Sequence, residues 1–299
     1  MAMTYTSLTA AKGVTGSVAT WVSYTLLDIP TIVDEAQALL YGLLRVREMM
    51  ASYPFSLAIN AANIALPARF LDPIGRIKFT SINSFARHKD AGLILANRNF
   101  QNLQGTLGTN PFTTVSGSNI VTVTDAGSGF TQDSVFNTTG ATAFNGVTIA
   151  GTFNIASVAA DGNSFTIDIS VLGTTPSGSG TGGGSAVNYS CDQLVAGIPA
   201  WWGIIDEEIK FDVALAEQTQ AILQYYQSLP LLSVSNQSNF LTNRYPQLMR
   251  RACVTAAADF MKDTEEYNKG YARLEALVQS VSIENDGQYR GMELDPMIP

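Results

Sequence analysis

The chain has 299 residues, of which 46% are hydrophobic and 14% charged, a composition inside the globular range but poor in charge. That length allows one large core, or one core with an inserted domain. Acidic residues outnumber basic ones by 25 to 17, and the formal net charge is −8. This balance argues against a nucleic-acid reader and against a sequence-independent grip on DNA or anionic lipid.

The sequence also argues against a membrane protein or an exported one. No apolar stretch approaches the roughly 18 to 20 residues that a membrane helix needs, and the first residues lack the basic region and apolar run of a signal peptide. We therefore expect a soluble protein with no membrane partner. Cys191 and Cys253 lie far apart in unlike contexts, which predicts two buried or half-buried thiols and no disulfide framework.

The first predicted element is a helix from about Ile32 to Met50, with Thr31 as its N-cap. Its apolar residues recur at spacings of three and four, so the helix packs on one face. The following region, Leu66 to Phe100, is predicted to be extended at first and to end in a short helix from about Ala91.

The middle of the chain has a different composition, because no Lys or Arg occurs between Arg98 and Lys210. Residues 119–125, 152–158 and 164–171 alternate apolar with polar side chains, which predicts short half-buried strands. We interpret residues 112–188 as an inserted all-β domain, either an Ig-like sandwich or a small barrel. The Gly- and Ser-rich stretch 176–185 is predicted to be a flexible linker.

The last third begins with a predicted hairpin over residues 201–211, with Asp206 and Glu207 at its bend, and a further strand through residues 221–225. Helical patterns follow. One helical region begins near Asn239 and restarts at Pro246, and another follows Asp263. Its apolar stripe is typical of a bundle seam and consists of Tyr267, Tyr271, Leu274, Val278 and Val281.

The resulting fold class is α+β: a helical bundle with a small antiparallel β element, plus the inserted all-β domain. The predicted division places the N-terminal part of the core at 1–111 and the insert at 112–188. The C-terminal part of the core covers 189–283, and an extended tail covers 284–299.

The sequence offers no constellation for catalysis. His88 is the only histidine, and its surroundings favour a solvated residue. The acids Asp206, Glu207 and Glu208 are adjacent at a hairpin bend, where such residues usually face water. Phosphate-binding and calcium-binding loops are missing, and zinc ligands are too few. We predict no enzyme activity, no cofactor and no metal.

Several stretches carry a resemblance to a known family. Six segments carry it, in this order along the chain: the helix IVDEAQALLYGLLRVREM, the segment LPARFLDPIGRI, the hairpin end IKFD, the run YYQSLPLLS, the stretch SNFLTNRYPQLMRRACVTAAADFMKD and a closing helix. In this order they resemble the head-to-tail adaptor proteins of short-tailed bacteriophages, also called connector or tail-tube A type proteins. The resemblance covers nearly all of residues 20 to 290 apart from the insert, and residues 225–263 are its most distinctive part. The insert, through VFNTTGATAFNGVTIAGTFNIASVAADGNSFTI, resembles the Thr- and Gly-rich β inserts of virion proteins.

The resemblance implies a non-enzymatic homo-oligomeric ring, usually of twelve copies, made in the host cytoplasm and found in the virion at the head–tail interface. Such a ring docks on the portal protein, joins it to the tail nozzle and surrounds DNA that passes without specific binding. Tail fibres or the capsid are the candidate partners of the insert. In relatives the C-terminal tail reaches into the portal, and its counterparts here are Glu284, Tyr289, Arg290, Met292, Leu294, Pro296, Met297 and Ile298.

Two other classes stay open. A different virion component, such as a tail nozzle, fibre-anchor or minor head protein, would share the insert and the composition. A carbohydrate-binding surface module would use the aromatic residues and aspartates of the insert, although its aromatics are spaced like core residues.

Overall fold

The structure is a computed structural model that describes residues 3–23, 28–125 and 129–290. It divides into two compact units. The helical unit comprises the described residues of Met1–Ala51, Ala68–Asp72 and Tyr225–Pro299, and the β unit comprises those of Ser52–Pro67 and Pro73–Gln224. The helices are α1 (Tyr5–Leu8), α2 (Val18–Trp21), α3 (Ile29–Leu43), α4 (Ala91–Asn97), α5 (Phe240–Arg244), α6 (Pro246–Phe260) and α7 (Thr264–Arg290).

Helix α3 differs from its prediction at both ends. It begins at Ile29 and takes Pro30 into its first turn, where a residue without an N–H group is tolerated. Thr31 is therefore inside the helix, and its hydroxyl donates to the Asp28 carboxylate at 2.8 Å instead of capping. The helix ends at Leu43, because Leu44 adopts an extended conformation.

The core of the helical unit joins helices from the two ends of the chain. Ile32, Val33 and Leu40 of α3 are fully buried with Met249 and Cys253 of α6, and α7 adds its stripe from Leu274 to Val281. Close approach of α6 and α7 depends on Gly270, where a Cβ atom would lie 2.7 Å from the Thr255 hydroxyl. Burial of this apolar surface is the main stabilising term of the unit.

A buried glutamine ties α3 to the segment before α5. Gln37 is fully buried, and its Oε1 accepts a hydrogen bond from the Leu232 N–H at 2.7 Å. Its Nε2 donates to the Val33 carbonyl at 3.3 Å. The polar side chain thus satisfies a backbone group that is cut off from water.

The β unit contains two large sheets. The strands are β1 (Met50–Leu57), β2 (Asn63–Ala65), β3 (Phe70–Phe79), β4 (Ser84–His88), β5 (Phe100–Thr106), β6 (Phe112–Thr114), β7 (Ile120–Thr124), β8 (Val135–Thr139), β9 (Gly151–Val158), β10 (Ser164–Asp168), β11 (Gly180–Gly182), β12 (Asn188–Leu194), β13 (Ala196–Gly197), β14 (Trp201–Ile205), β15 (Glu208–Phe211), β16 (Ala214–Leu215) and β17 (Thr219–Gln227). The first sheet has seven strands in the order β1-β17-β3-β4-β14-β15-β2, and β13 pairs with β16 in a separate ribbon.

The predicted hairpin over residues 201–211 is confirmed as β14 and β15. Asp206 and Glu207 form its two-residue turn, with φ of 52° and 62°. Positive φ at both central positions is the conformation of a type I′ turn, whose twist matches that of the flanking strands. Trp202 and Phe211 pair directly across the hairpin and are fully buried.

The second sheet has eight strands in the order β11-β6-β7-β10-β9-β8-β12-β5. The predicted strands at 119–125, 152–158 and 164–171 correspond to β7, β9 and β10. Phe136 on β8 and Phe165 on β10 have ring centroids 5.0 Å apart although β9 lies between their strands. Neighbouring strands are about 4.8 Å apart, so the two rings meet above β9, within the hydrophobic core of this sheet.

The Gly-rich stretch is not a flexible linker. Gly180 to Gly182 form strand β11, which pairs with β6. A Cβ atom at Gly182 would overlap the ring of Phe144, and one at Gly183 would meet the ring of Phe112. These glycines are therefore packing residues that let backbone lie against aromatic rings.

The predicted fold class is wrong in its balance of elements. The protein is mostly β-sheet with barrel-like sheets and 28% helix, which conflicts with a helical bundle carrying a small β element. The predicted small element is in fact the seven-stranded sheet. The eight-stranded sheet also extends beyond residues 112–188, because β5 pairs with β12 along its whole length, from Phe100 to Thr106.

Candidate partner-binding surfaces

The predicted portal-contact residues fall at the end of the described chain. Glu284, Tyr289 and Arg290 lie in the last turns of α7, where the sequence predicted an extended tail. Met292, Leu294, Pro296, Met297 and Ile298 lie outside the described residues. Val281 of α7 is buried, whereas Ile283 is 71% exposed. Portal contact by this segment stays a prediction.

A groove of about 510 Å³ lies on the helical unit between α2, α6 and α7. Trp21, Val254 and Leu277 form its apolar part, and the Arg250 guanidinium lies over the Trp21 ring at 5.4 Å. A smaller hollow of about 240 Å³ shares Trp21 and Val254 and is flanked by Asp263 and Glu266. Sequence reasoning missed Trp21, because α2 is a single turn without a periodic pattern.

The outer face of the seven-stranded sheet carries a cluster of cations, which we call the basic face: Arg76 and Lys78 on β3, Arg87 on β4, and Lys89 directly after β4. It arises from simple alternation, since Ile77 and Phe79 point to the core while Arg76 and Lys78 are exposed. The β3–β4 register places Arg76 opposite Arg87.

Trp201 lies in the same row of the sheet as these cations. The β4–β14 register sets Trp201 beside Arg87. The Lys89 ammonium lies 4.3 Å from the Trp201 ring centroid, and the Arg87 guanidinium lies 5.9 Å from it. Both geometries are cation–π contacts that hold the charges at the surface.

Helix α4 covers the neighbouring part of this outer face. Its N-terminus is capped by the Asp90 carboxylate, which accepts from the Gly92 N–H at 2.9 Å. Ile94 is fully buried over Gly203, where a Cβ atom would come within 2.9 Å of the Ile94 side chain. Helix α4 therefore covers β14 at Gly203, and Trp201 lies beside the covered area.

A second charged cluster is buried inside the β unit. The Asp133 Oδ2 atom lies 2.9 Å from Arg98 Nη2 and 3.4 Å from Lys210 Nζ. Its Oδ1 accepts from Asn63 Nδ2 at 2.8 Å, while Arg98 donates from Nε and Nη2 to the Phe211 carbonyl. The Arg98 side chain is 5% exposed and that of Asp133 14%. This cluster links β2, β15 and the loop before β8, which indicates a structural role.

The residues weighed for catalysis do not come together. His88 packs edge-on against Trp202 at 4.7 Å, and burial lowers its pKa despite the opposing effect of Asp90. Asp206 and Glu207 are exposed at the hairpin turn. Cys191 and Cys253 are free and buried, as predicted, and burial raises the pKa of each thiol to about 12.

Within residues 3–23, 28–125 and 129–290, no group of three or more His, Cys, Asp or Glu side chains is placed to hold a metal ion. No helix in this part of the chain is both long and apolar enough to cross a membrane.

Comparisons with known proteins give little guidance. No family model matches the chain, and no curated protein matches it. Among solved structures it is similar to the phage phi92 endosialidase, with 12% identity and a TM-score of 0.24. The similarity covers 50% of this chain and 20% of that bacteriophage protein. At this level it identifies neither the fold nor the function of the chain.

Proposed function

We propose that the chain is a non-enzymatic structural protein of a bacteriophage particle, a head-to-tail adaptor. In this role copies of the chain form a ring, usually of twelve, that docks on the portal protein and joins it to the tail nozzle around the DNA channel. The protein is then located at the head–tail interface of the virion.

The observation that carries the proposal is the composition of the helical unit. Helices α3, α6 and α7 come from the two ends of the chain and share one core. Residues 225–263, which carry the most distinctive part of the resemblance to adaptors, supply α5 and α6 to this unit. The predicted insert, residues 112–188, lies within the β unit and is the part with which tail fibres or the capsid are proposed to interact.

The end of α7 supports the proposed site of portal contact. The helix continues past Val281, which is buried, and past Ile283, which is exposed, to Arg290. Residues 291–299 supply four apolar side chains, Met292, Leu294, Met297 and Ile298, within nine positions. A segment of this kind gains its stabilisation by burying apolar surface against a partner.

The proposal is tested by mixing the purified chain with the portal ring of its virus and imaging by negative-stain electron microscopy. We expect the full chain to add a ring of density at one end of the portal. A variant that ends at Arg290 lacks residues 291–299, and a variant that ends at Ile283 also lacks the last turns of α7, so the two separate the contributions of these segments. A Leu294→Asp variant should lose binding at full length, whereas its neighbour Glu293→Gln serves as the matched control.

The outcomes separate two claims. If the shortened variants bind as well as the full chain, the tail is not the portal contact and the bundle surface takes that role. If the full chain adds no density to the portal, the adaptor proposal is wrong.

One observation favours a second candidate. The β unit carries both large sheets, whereas the adaptor core expected from the sequence was a helical bundle with a small β element. A tail nozzle, fibre-anchor or minor head protein would fit such a balance, and binding to a tail fibre in the absence of the portal would support it.

A further inference from the structure

The basic face holds an unusual concentration of unbalanced charge. No carboxylate within the described residues lies in ion-pair distance of Arg76, Lys78, Arg87 or Lys89, although the chain as a whole carries a net charge of −8. The ion pairs of the β unit instead involve Arg98 and Lys210, which are buried in the Asp133 cluster. The basic face is therefore a local positive field on an acidic protein.

The pairing of Arg76 with Arg87 is unfavourable by itself. Like charges directly opposite each other on antiparallel strands destabilise a sheet. Here the register of β3 and β4 enforces that arrangement, and the sheet offers no counter-charge for either guanidinium among the described residues. An anion that binds over both side chains removes the repulsion, so this position indicates a binding site for negative charge.

The shape of the cluster indicates an extended ligand. The cations lie along two neighbouring strands and do not converge on a cavity. Side chains two residues apart on a strand are separated by about 6.7 Å, and neighbouring strands by about 4.8 Å. A single small anion meets only part of such an array, whereas a polymer with charges at regular intervals meets all of it.

We propose that the basic face binds the phosphate backbone of double-stranded DNA without selecting a sequence. Duplex DNA presents one negative charge per about 1.7 Å of helix axis, so it matches four cations in many registers. An acidic protein would need four carboxylates in one matching arrangement. Contacts from such cations to phosphates carry no sequence information, so this binding does not select a sequence.

The position of Trp201 favours a duplex over a single strand. Single-strand sites use open aromatic rings on which unpaired bases stack. The ring of Trp201 is covered by Lys89 at 4.3 Å and is flanked by Arg87 at 5.9 Å. Trp201 therefore serves as a support that positions two cations.

This inference goes beyond the adaptor proposal, and it is tested without the portal. Fluorescence anisotropy of a labelled duplex of about 20 base pairs, titrated with the full chain up to about 100 μM, measures the affinity between 50 and 200 mM salt. Four phosphate contacts predict a slope of about −3.6 in a plot of log affinity against log salt. The affinity then falls roughly 150-fold across that range.

The decisive variant is Arg76→Gln combined with Arg87→Gln, which removes two of the four charges and leaves Trp202 and the sheet core in place. We expect its slope to fall to about −1.8. The control combines Arg250→Gln with Lys262→Gln, which also removes two charges and one cation–π contact, but on the helical unit. The control should keep the slope of the wild type, and circular dichroism should show both variants folded.

Three results would overturn the proposal. One is the absence of duplex binding at 50 mM salt, and another is an equal loss of slope in both double variants. The third is competition by polyglutamate or single-stranded oligothymidine at least as strong as competition by unlabelled duplex, which would assign the face to an acidic protein or to a single strand.

Discussion

Replacing Asp133 with Asn tests the buried ion cluster of the β unit. Asn has nearly the same size as Asp, and it tolerates the left-handed backbone that Asp133 adopts, with φ of 61°. The change therefore removes one negative charge with little change in shape. It leaves the Arg98 guanidinium and the largely buried Lys210 ammonium near each other without the carboxylate that lies between them.

The expected loss in the free energy of unfolding is about 3 kcal/mol. Removing one partner of a buried ion pair typically costs about 3 to 5 kcal/mol, because the remaining charge has lost its water and its partner. The lower end applies here, since Lys210 keeps Glu208 at 3.5 Å and the Arg98 guanidinium keeps the Phe211 carbonyl. The Asn63 amide also loses a charged acceptor.

Equilibrium unfolding in urea measures this loss. In a Trp21→Phe background the remaining tryptophans, Trp201 and Trp202, both belong to the β unit and report its unfolding alone. Asp192→Asn is the matched control, because Asp192 is exposed on β12 and forms a hydrogen bond with Asn102 without an ion pair. A midpoint for Asp133→Asn within the error of that control would refute the assigned role of the cluster.

Two further predictions concern packing and thiol chemistry. Gly182→Ala should destabilise the β unit by about 1 to 3 kcal/mol, because the added methyl overlaps the ring of Phe144. At Gly108 the methyl of Ala meets open space, so Gly108→Ala should change the free energy of unfolding by less than about 0.5 kcal/mol. Urea unfolding of both variants measures the two effects. Cys191 and Cys253 should resist iodoacetamide at pH 8 in the folded protein, since a thiol with a pKa of about 12 is ionised in only about one molecule in ten thousand. Mass spectrometry should show both modified in urea, and modification of either in the native state at the rate of a free thiol would contradict its burial.

Local sequence patterns predicted the elements in which apolar residues recur at a regular spacing. Strands β7, β9 and β10 alternate cleanly, and the hairpin of β14 and β15 has polar residues at its turn. Helices α6 and α7 show apolar residues at spacings of three and four. In these segments the local pattern and the final environment agree, so periodicity is sufficient.

The seven-stranded sheet was underestimated because its strands carry poor local signals. Pro54 lies within β1, and β3 contains both Pro73 and Gly75, residues that usually argue against strand interiors. The stabilising partners are also distant, since β17, which lies between β1 and β3, follows more than 100 residues later. No local window contains that pairing.

The basic face escaped prediction for a related reason. The net charge of −8 is a sum over the whole chain, so it does not reveal a local cluster of four cations. Arg76 and Arg87 become neighbours only through the β3–β4 register. Trp201 joins them because its strand, β14, comes from a later segment and pairs in parallel with β4. Alternating basic residues on β3 were the available signal, yet alone they describe any solvated strand face.

The construction of the helical core from both ends of the chain affects how the protein is made. About 200 residues separate the end of α3 from the start of α6, its main packing partner. At about 5 to 20 residues per second, a ribosome needs roughly 10 to 40 s to supply α6 after α3 has emerged. A helix of this length is marginal in water without tertiary contacts, so Ile32, Val33 and Leu40 stay accessible to chaperones during that interval. The β unit can complete its own sheets in the meantime, which makes the helical core the last part of the protein to form during synthesis.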